Sequence, residues 1–417
     1  MIILIGNIGS TSLKSKLLKF DQSDFPEFLG EANLDRINSD GDSTFSTCIG
    51  SQAIVKDVVQ LSGIKNGIQF ILDWYIRNNI ISSYGDIDAM GFKCVMGITN
   101  GANLLTPEIL AEMNKFGFIA PAHNLPYIKA IDEFKKVLNV PMIGIFEPSF
   151  HYSLPEFKRF LGIPWEWNSL GIKKLGFHGA SHRYLSAMAY QLLGRKTGKV
   201  ITVHLGGSSS VCAVLDGKSV DIDQHFSPNS GLLQGTRIGD ADVSAVLFAM
   251  HELGISVIEA QDMLSHKSGL KSMAGLGTED CRTIEQAALQ GNNRAQMTLD
   301  LYVDGIRKHI GAFATVLGGV DCIVFSGGTG ENSQYIRELC LQNMEFMGIV
   351  LDPERNQRTK GGQAMISDEK SKVKVYVVST NEELVVAQFT KQVLEKGRDL
   401  LPEEMEFSLL PANINRV

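Results

Sequence analysis

At 417 residues the chain is long enough for two or three domains, and 44% hydrophobic with 20% charged residues is a composition that can bury real cores. The net charge of −7, from 39 basic and 46 acidic side chains, disfavours a dedicated nucleic-acid binder, which would carry a basic face, but leaves small anionic ligands open. Six cysteines without a C-x-x-C pair exclude a zinc-ribbon spacing and read as thiols in a reducing compartment, while 41 glycines against 12 prolines point to many tight turns.

In chain order, Ile2–Ile5 is a short apolar run, Gly6–Ser12 a small polar turn, and Leu13–Phe20 a second strand. That opening run is too short, and lacks the basic flank, for a secretory leader. No window approaches 18 consecutive apolar residues, so a cytoplasmic protein without a membrane segment is expected. Ile64–Arg77 places Ile68, Ile71, Leu72 and Tyr75 on one helical face. Thr106–Phe116 starts as a helix on Thr-Pro-Glu, and Tyr127–Leu138 is a further amphipathic stretch. Pro141–Phe146 reads as a buried strand ending at Glu147-Pro148. The hairpin pattern returns at Val200–Leu205, Gly206–Ser210 and Val211–Leu215, a weak repeat about 200 residues on that fits two similar domains. Helices are predicted at Val243–Leu253, Val257–Leu264 and Asn292–Val316, then a strand at Cys322–Phe325, a Gly-rich turn and a helix at Ser333–Leu341. Asp352–Lys374 reads as a polar surface connection, Val373–Val378 as a strand, and Asn381–Lys396 as a helix before a mixed tail. Strands alternating with helices give the class α/β.

Both Gly/Ser turns suit phosphate, because small residues admit backbone N–H groups while Lys14 and the hydroxyls add donors; ordinary hairpin turns are the competing reading. Ser326–Asn332 fits a nucleotide lying against a strand end, although it is neither a Walker loop nor G-x-G-x-x-G; a tight βα turn is the alternative. Gly235–Asp242 frames Arg237, whose fork suits a phosphoryl or carboxylate group, or closes a local ion pair. His178 and His182 are spaced as a metal pair without a convincing third ligand; a phosphoryl donor or an incidental helix start fits as well. Glu147 ends a strand, where α/β folds place ligands, and Glu382 is either a helix-start acid or a water-mediated Mg²⁺ group.

Taken in order, NIGSTSLK, FHGASH, HLGGSSS, GTRIGDAD, FSGGTGEN and STNEEL resemble the acetate kinase family over residues 1 to about 390. The resemblance implies two duplicated actin-like ATPase (ribonuclease H-like) domains with a cleft between them. Residues 1–149 would form the first, joined by a C-terminal helix over 384–417, and residues 150–383 the nucleotide-binding second. It implies Mg²⁺-dependent phosphate transfer between ATP or ADP and a short-chain carboxylate or acyl phosphate, in a homodimer. Asn7 and Glu382 match the family's Mg²⁺ residues. Lys14 and His204, Leu205, Gly206, Gly207 and Ser208 match phosphate contacts. Asp280, Cys281, Arg282 and Gly327, Gly328, Thr329, Gly330 and Glu331 lie where the family holds nucleotide. His178 and Arg237 match the pair that stabilises the transferring phosphoryl group, and Phe177 and Pro228 match walls of the carboxylate pocket.

The acceptor half departs from that pattern. The family's H-R-V-V-H-G-G stands here as Phe92–Ile98, so its substrate-binding Arg is Lys93. F-D-T-A-F-H stands as Phe146–His151, so its catalytic Asp is Glu147; H-L-G-N-G carries Gly207 and Ser208; a pocket Leu is Ala122; and the Pro closing GTRxGDxDP is Val243. Lysine loses arginine's planar fork, and the extra methylene of glutamate displaces its carboxylate by roughly 1 Å. Two expectations follow: acetate is a poor acceptor, and Lys93 and Glu147 act as a coupled pair. The competing function is an ATP-binding homologue without kinase activity, serving regulation or scaffolding.

Overall fold

The computed structural model describes residues 1–9, 11–37, 42–97, 100–120 and 124–409, so Ile98 and Ala122 lie outside the described residues. The chain forms two compact units, Met1–Ser149 with Asn381–Val417, and Phe150–Thr380. Among the described residues no helix is long and apolar enough to cross a membrane.

The first unit holds β1 (Ile2–Ile8), β2 (Ser12–Lys19), β3 (Glu27–Asp35), β4 (Ser43–Ile49), β5 (Val55–Val59), β6 (Ala89–Cys94), β7 (Ala102–Leu104) and β8 (Met142–Phe146), in the sheet order β5-β4-β3-β2-β1-β6-β8-β7. The second holds β9 (Lys199–Leu205), β10 (Ser209–Leu215), β11 (Lys218–Ile222), β12 (Cys322–Ser326), β13 (Gln363–Met365) and β14 (Lys374–Val378), in the order β11-β10-β9-β12-β14-β13. The two sheets share one plan. An antiparallel three-strand meander (β3-β2-β1; β11-β10-β9) continues through two parallel strands (β6, β8; β12, β14) to an antiparallel edge strand (β7; β13). The hairpin repeat in the sequence is the start of this duplication.

Helices cover the sheets. In unit 1 these are α1 (Ile64–Arg77), α2 (Pro107–Lys115) and α3 (Asn124–Val137). In unit 2 they are α4 (Gly179–Leu192), α5 (Val243–Leu253), α6 (Val257–His266), α7 (Gly269–Ala274), α8 (Cys281–Leu289), α9 (Asn293–Leu317), α10 (Gly327–Asn332), α11 (Gln334–Leu341) and α12 (Pro353–Arg358). Finally α13 (Glu382–Lys396) returns to unit 1. The predicted face of α1, Ile68, Ile71, Leu72 and Tyr75, is buried against Leu4, Leu17, Leu34 and Phe92. In unit 2 the stripe Leu299, Tyr302, Ile306, Ile310 and Phe313 of α9 joins Ile201, Val211 and Ile323 in the core. Full burial of each such side chain is worth roughly 1.5–3 kcal/mol, which is what holds a 25-residue helix on its sheet.

Three expectations change. The opening strand runs on to Ile8, so Gly6 and Asn7 belong to the strand and not to the turn. Asp352–Lys374 is no surface connection: it carries α12 and β13 and buries Asn356, Ile366 and Ser367; Asn356 and Thr359 supply acceptors to a buried arginine described below, and Ile366 joins the apolar core of unit 2. The C-terminal helix starts at Glu382 and stops at Lys396, where Gly397 takes the left-handed conformation (φ 63°) that ends helices. The chain then pairs Leu400 with Ala102; a Cβ on Gly101 would lie 2.0 Å from the Leu400 carbonyl, so only glycine admits this approach. The expected helix over 384–417 is therefore confined to its first part, and residues 410–417 lie outside those described.

Candidate functional site

In unit 1 the β1–β2 register sets Asn7 directly opposite Lys14. Period-2 alternation puts both on the face that carries Lys16, Glu31 and Asn33, and with Glu383 they line a cavity of about 90 Å³. The Tyr127 hydroxyl donates to Asn7 Oδ1 at 3.0 Å and accepts from the Ile8 N–H at 3.2 Å, which fixes the amide's orientation. Tyr127 was legible only as the first apolar residue of an amphipathic helix. Its phenol is pushed well above the usual range by burial, with the Lys93 charge opposing, so it stays a donor.

Lys93, on β6, reaches two carboxylates. Its Nζ lies 2.5 Å from Glu382 Oε2 and 4.0 Å from Glu147 Oε1. Glu147 follows β8 and is buried; Glu382 opens α13, whose N-cap Asn381 accepts from the Leu384 N–H at 3.2 Å. Burial alone would lower the lysine's pKa, but the charges of Glu382 and then Glu147 outweigh it and hold the ammonium above the usual lysine range. The pair expected between Lys93 and Glu147 is thus a triad in which Glu382 is the nearer partner.

Asn7 and Glu382 offer the hard oxygen donors that Mg²⁺ takes, and Mg²⁺ is commonly held by one or two carboxylates together with substrate phosphates. Among the described residues no group of three or more His, Cys, Asp or Glu side chains is arranged to hold a metal by itself. Asn7 and Glu382 by themselves would supply only part of the six-oxygen shell that Mg²⁺ takes.

In unit 2, His178 precedes α4 with a left-handed backbone (φ 54°, ψ 29°). A non-glycine residue held there costs of order 1–3 kcal/mol, and such strain concentrates at functional positions. The Ser210 hydroxyl sits 2.7 Å from both His178 Nδ1 and His182 Nε2, and His182 Nδ1 lies 2.7 Å from Thr202 Oγ1. Burial, with lesser help from the charges of His151 and His204, drives the His182 pKa well down. Both its ring nitrogens are occupied, so His178 and His182 are not a metal pair; His182 orients His178 through Ser210. His204 stacks on His178 at 4.7 Å and bonds Ser181 through Nδ1 at 2.9 Å.

Arg237 is braced through one nitrogen by Ser208 Oγ (3.2 Å), the Pro228 carbonyl (3.0 Å) and Gln234 Oε1 (3.0 Å). Gln234, three residues upstream and fully buried, also accepts from Ser208 Oγ at 2.7 Å and donates to the Pro228 carbonyl at 2.7 Å. Burial lowers the Arg237 pKa to about 10, which leaves it charged at neutral pH. Pro228 thus meets Arg237 through its carbonyl, and Phe177 is buried with its carbonyl 2.9 Å from His151 Nε2. Gln234 escaped sequence reading, although it stands directly before the Gly235–Asp242 turn that carries Arg237.

The expected nucleotide residues divide. Gly206 and Gly207 keep an open turn, and the Gly207 carbonyl accepts from the Gly235 N–H at 3.0 Å, which ties the second hairpin to the Arg237 turn. Gly327 has φ 77°, and a Cβ there would lie 2.6 Å from the Leu205 carbonyl; Leu205 itself is core. Gly328 and Thr329 continue into the single-turn helix α10. Glu331 accepts from the Gly327 N–H (3.1 Å) and Ser379 Oγ (2.6 Å), so its carboxylate serves the turn. Asp280 caps α8 and holds Arg282 at 2.8 Å, while Cys281 is buried and its thiol is pushed up to about 12 by burial. Arg337 is the group missed altogether. It is fully buried on α11 and donates to the carbonyls of Gly330 and Glu331 at 2.9 Å each.

With this geometry in view, the chain matches the model of the "Acetokinase family" over residues 2–388. It is 38% identical over 404 residues to an acetate kinase of Clostridium botulinum (strain Hall), covering 95% of this chain and 100% of that protein. The crystal structure of Porphyromonas gingivalis acetate kinase matches with a TM-score of 0.82 and 33% identity, over 94% of this chain and 99% of the other. That of a propionate kinase from Francisella tularensis matches with a TM-score of 0.84 and 28% identity, over 93% and 98%.

Proposed function

Because the chain belongs to the acetokinase family of carboxylate phosphotransferases, we propose that it moves a phosphoryl group between ATP and a short-chain carboxylate, with Mg²⁺ and with acetate as a poor acceptor. A carboxylate oxygen forms a bond to the γ-phosphorus as the bond to the β,γ-bridging oxygen breaks, giving an acyl phosphate and ADP with no proton transferred. The observation that carries this reading is the braced Arg237: a guanidinium fixed by three acceptors is preorganised for charge developing on the phosphoryl oxygens. His178 adds a donor oriented through Ser210. Gly207–Ser208 and Gly328–Thr329 offer backbone N–H groups to phosphates. Mg²⁺ would neutralise phosphate charge, with Asn7 and Glu382 as its protein donors.

The acceptor assignment rests on Lys93. It lacks arginine's planar fork and is already engaged by Glu382 and Glu147, so an acceptor as small as acetate is gripped weakly while a larger acid adds apolar contact. The test is ADP release coupled to a reporter, with Mg²⁺, across carboxylates of increasing size. Some carboxylate is expected to turn over well and acetate poorly; acetate turnover inside the ordinary ~1–10³ s⁻¹ range would overturn this acceptor assignment. Nucleotide binding without transfer to any carboxylate would favour the non-catalytic, regulatory alternative.

We place the enzyme in the cytoplasm, since all six cysteines are unbridged, and read it as a homodimer. In support, α5 buries no residue of its own and exposes Val243, Leu247, Phe248 and Leu253, and neighbouring α6 exposes Val257 and Ile258. Phe248→Glu is expected to convert a sedimenting dimer to monomer. A native chain that sediments as a monomer would refute the assignment.

A further inference from the structure

We propose, building on that kinase reading, that Lys93 is the resident counter-cation of the Glu147–Glu382 pair and sets how metal enters. The ammonium holds Glu382 against a free divalent ion and yields it only to a metal that arrives on nucleotide phosphates. The geometry is specific. Lys93 stands on β6 opposite Ile145 of β8, two residues before Glu147. Glu382 opens α13, which packs on β1, β6 and β8. The three side chains are 19%, 3% and 12% exposed, for Lys93, Glu147 and Glu382, so the ion pair is sheltered from solvent screening.

A free Mg²⁺ ion gives up its waters reluctantly. At this site it would also have to compete with an ammonium 2.5 Å from Glu382 Oε2. A metal already on a triphosphate keeps most of its ligands and needs only one carboxylate oxygen, so the exchange is easier. The Arg-to-Lys departure suits such a gate. An ammonium on a flexible four-carbon stem can swing aside, whereas a guanidinium held by its planar fork must break a bidentate contact.

The test measures binding of Mn²⁺, read by the loss of its free electron-paramagnetic-resonance signal, to the full-length chain with and without ATP. Lys93→Met is expected to bind free Mn²⁺ at least about tenfold more tightly than the native chain, with the difference shrinking when ATP is present. Equal affinity for free Mn²⁺ in a folded Lys93→Met overturns the proposal. A second variant serves if removing the lysine prevents folding. Glu382→Gln is expected to leave free-Mn²⁺ affinity unchanged, because Lys93 already withholds that oxygen, and to weaken Mn·ATP binding about tenfold. Weaker free-Mn²⁺ binding in Glu382→Gln, or unchanged Mn·ATP binding, overturns it equally. These readouts are separate from the kinase assay. If Mn²⁺ binding is unmoved while the native chain phosphorylates a carboxylate, the gate fails and the kinase reading stands. If Mn²⁺ binding tightens while no carboxylate is accepted, the gate stands and the kinase reading fails.

Discussion

Arg237→Ala is expected to lower kcat by about 10²–10³-fold while the nucleotide Kd moves far less. The reason is the bracing. Ser208 Oγ, the Pro228 carbonyl and Gln234 Oε1 all accept from one guanidinium nitrogen, at 3.0–3.2 Å. The orientation energy is therefore spent during folding and not during the reaction, which is the condition under which a cation stabilises a transition state more than a ground state. Arg237→Lys is expected to recover little, because an ammonium cannot meet Ser208, Pro228 and Gln234 while also presenting a fork to a phosphoryl group. Steady-state kinetics with the best acceptor from the screen, beside direct ATP binding, separates the two effects. A kcat within about threefold of the native value would remove Arg237 from the transfer step.

Arg337→Met is expected to destabilise unit 2 by about 3–5 kcal/mol, without touching any group assigned to transfer. Arg337 is fully buried and donates five hydrogen bonds: to Asn356 Oδ1 (2.8 Å) and to the carbonyls of Gly330 (2.9 Å), Glu331 (2.9 Å), Asn356 (2.9 Å) and Thr359 (3.0 Å). Methionine fills similar volume but supplies no donor: the Glu331 and Asn356 carbonyls keep the Gly361 and Thr359 N–H groups (3.1 and 3.3 Å), while the other oxygens lose the guanidinium in a buried site. Each oxygen lost in this way costs roughly 1–3 kcal/mol before relaxation and water entry reduce the sum. Because the carbonyls of Gly330 and Glu331 end the Gly-rich turn, faster amide exchange should appear first at residues 327–332 and 353–359. Urea unfolding followed by hydrogen exchange resolved by segment measures both. A loss below about 1 kcal/mol would mean that water replaces the guanidinium, and that the turn does not depend on it.

Features whose signal is local were legible from the residues alone. Both hairpins, the apolar face of α1 and the strand–glycine–helix passage at Ser326–Asn332 are written in residues a few positions apart, because strand and helix periods repeat over such distances. The ordered motifs were enough to mark the family, since turn chemistry at a phosphate site tolerates few residue types. The strands β3, β4 and β5 were not read: burial alternates along β3 and β4, but the buried positions carry Gly30, Ser43 and Thr47 beside Ala32, Leu34 and Phe45, and β5 buries no residue, so the apolar period is faint. Which charge answers which emerges only when distant segments fold together. Lys93 finds Glu382 across 289 residues of chain, Tyr127 finds Asn7 across 120, and Arg337 draws the polar stretch after Asp352 into the interior. Charged and polar side chains carry no period that announces their partners. Their pairing is fixed by the fold's long-range register, and by the cost of leaving any buried one unanswered.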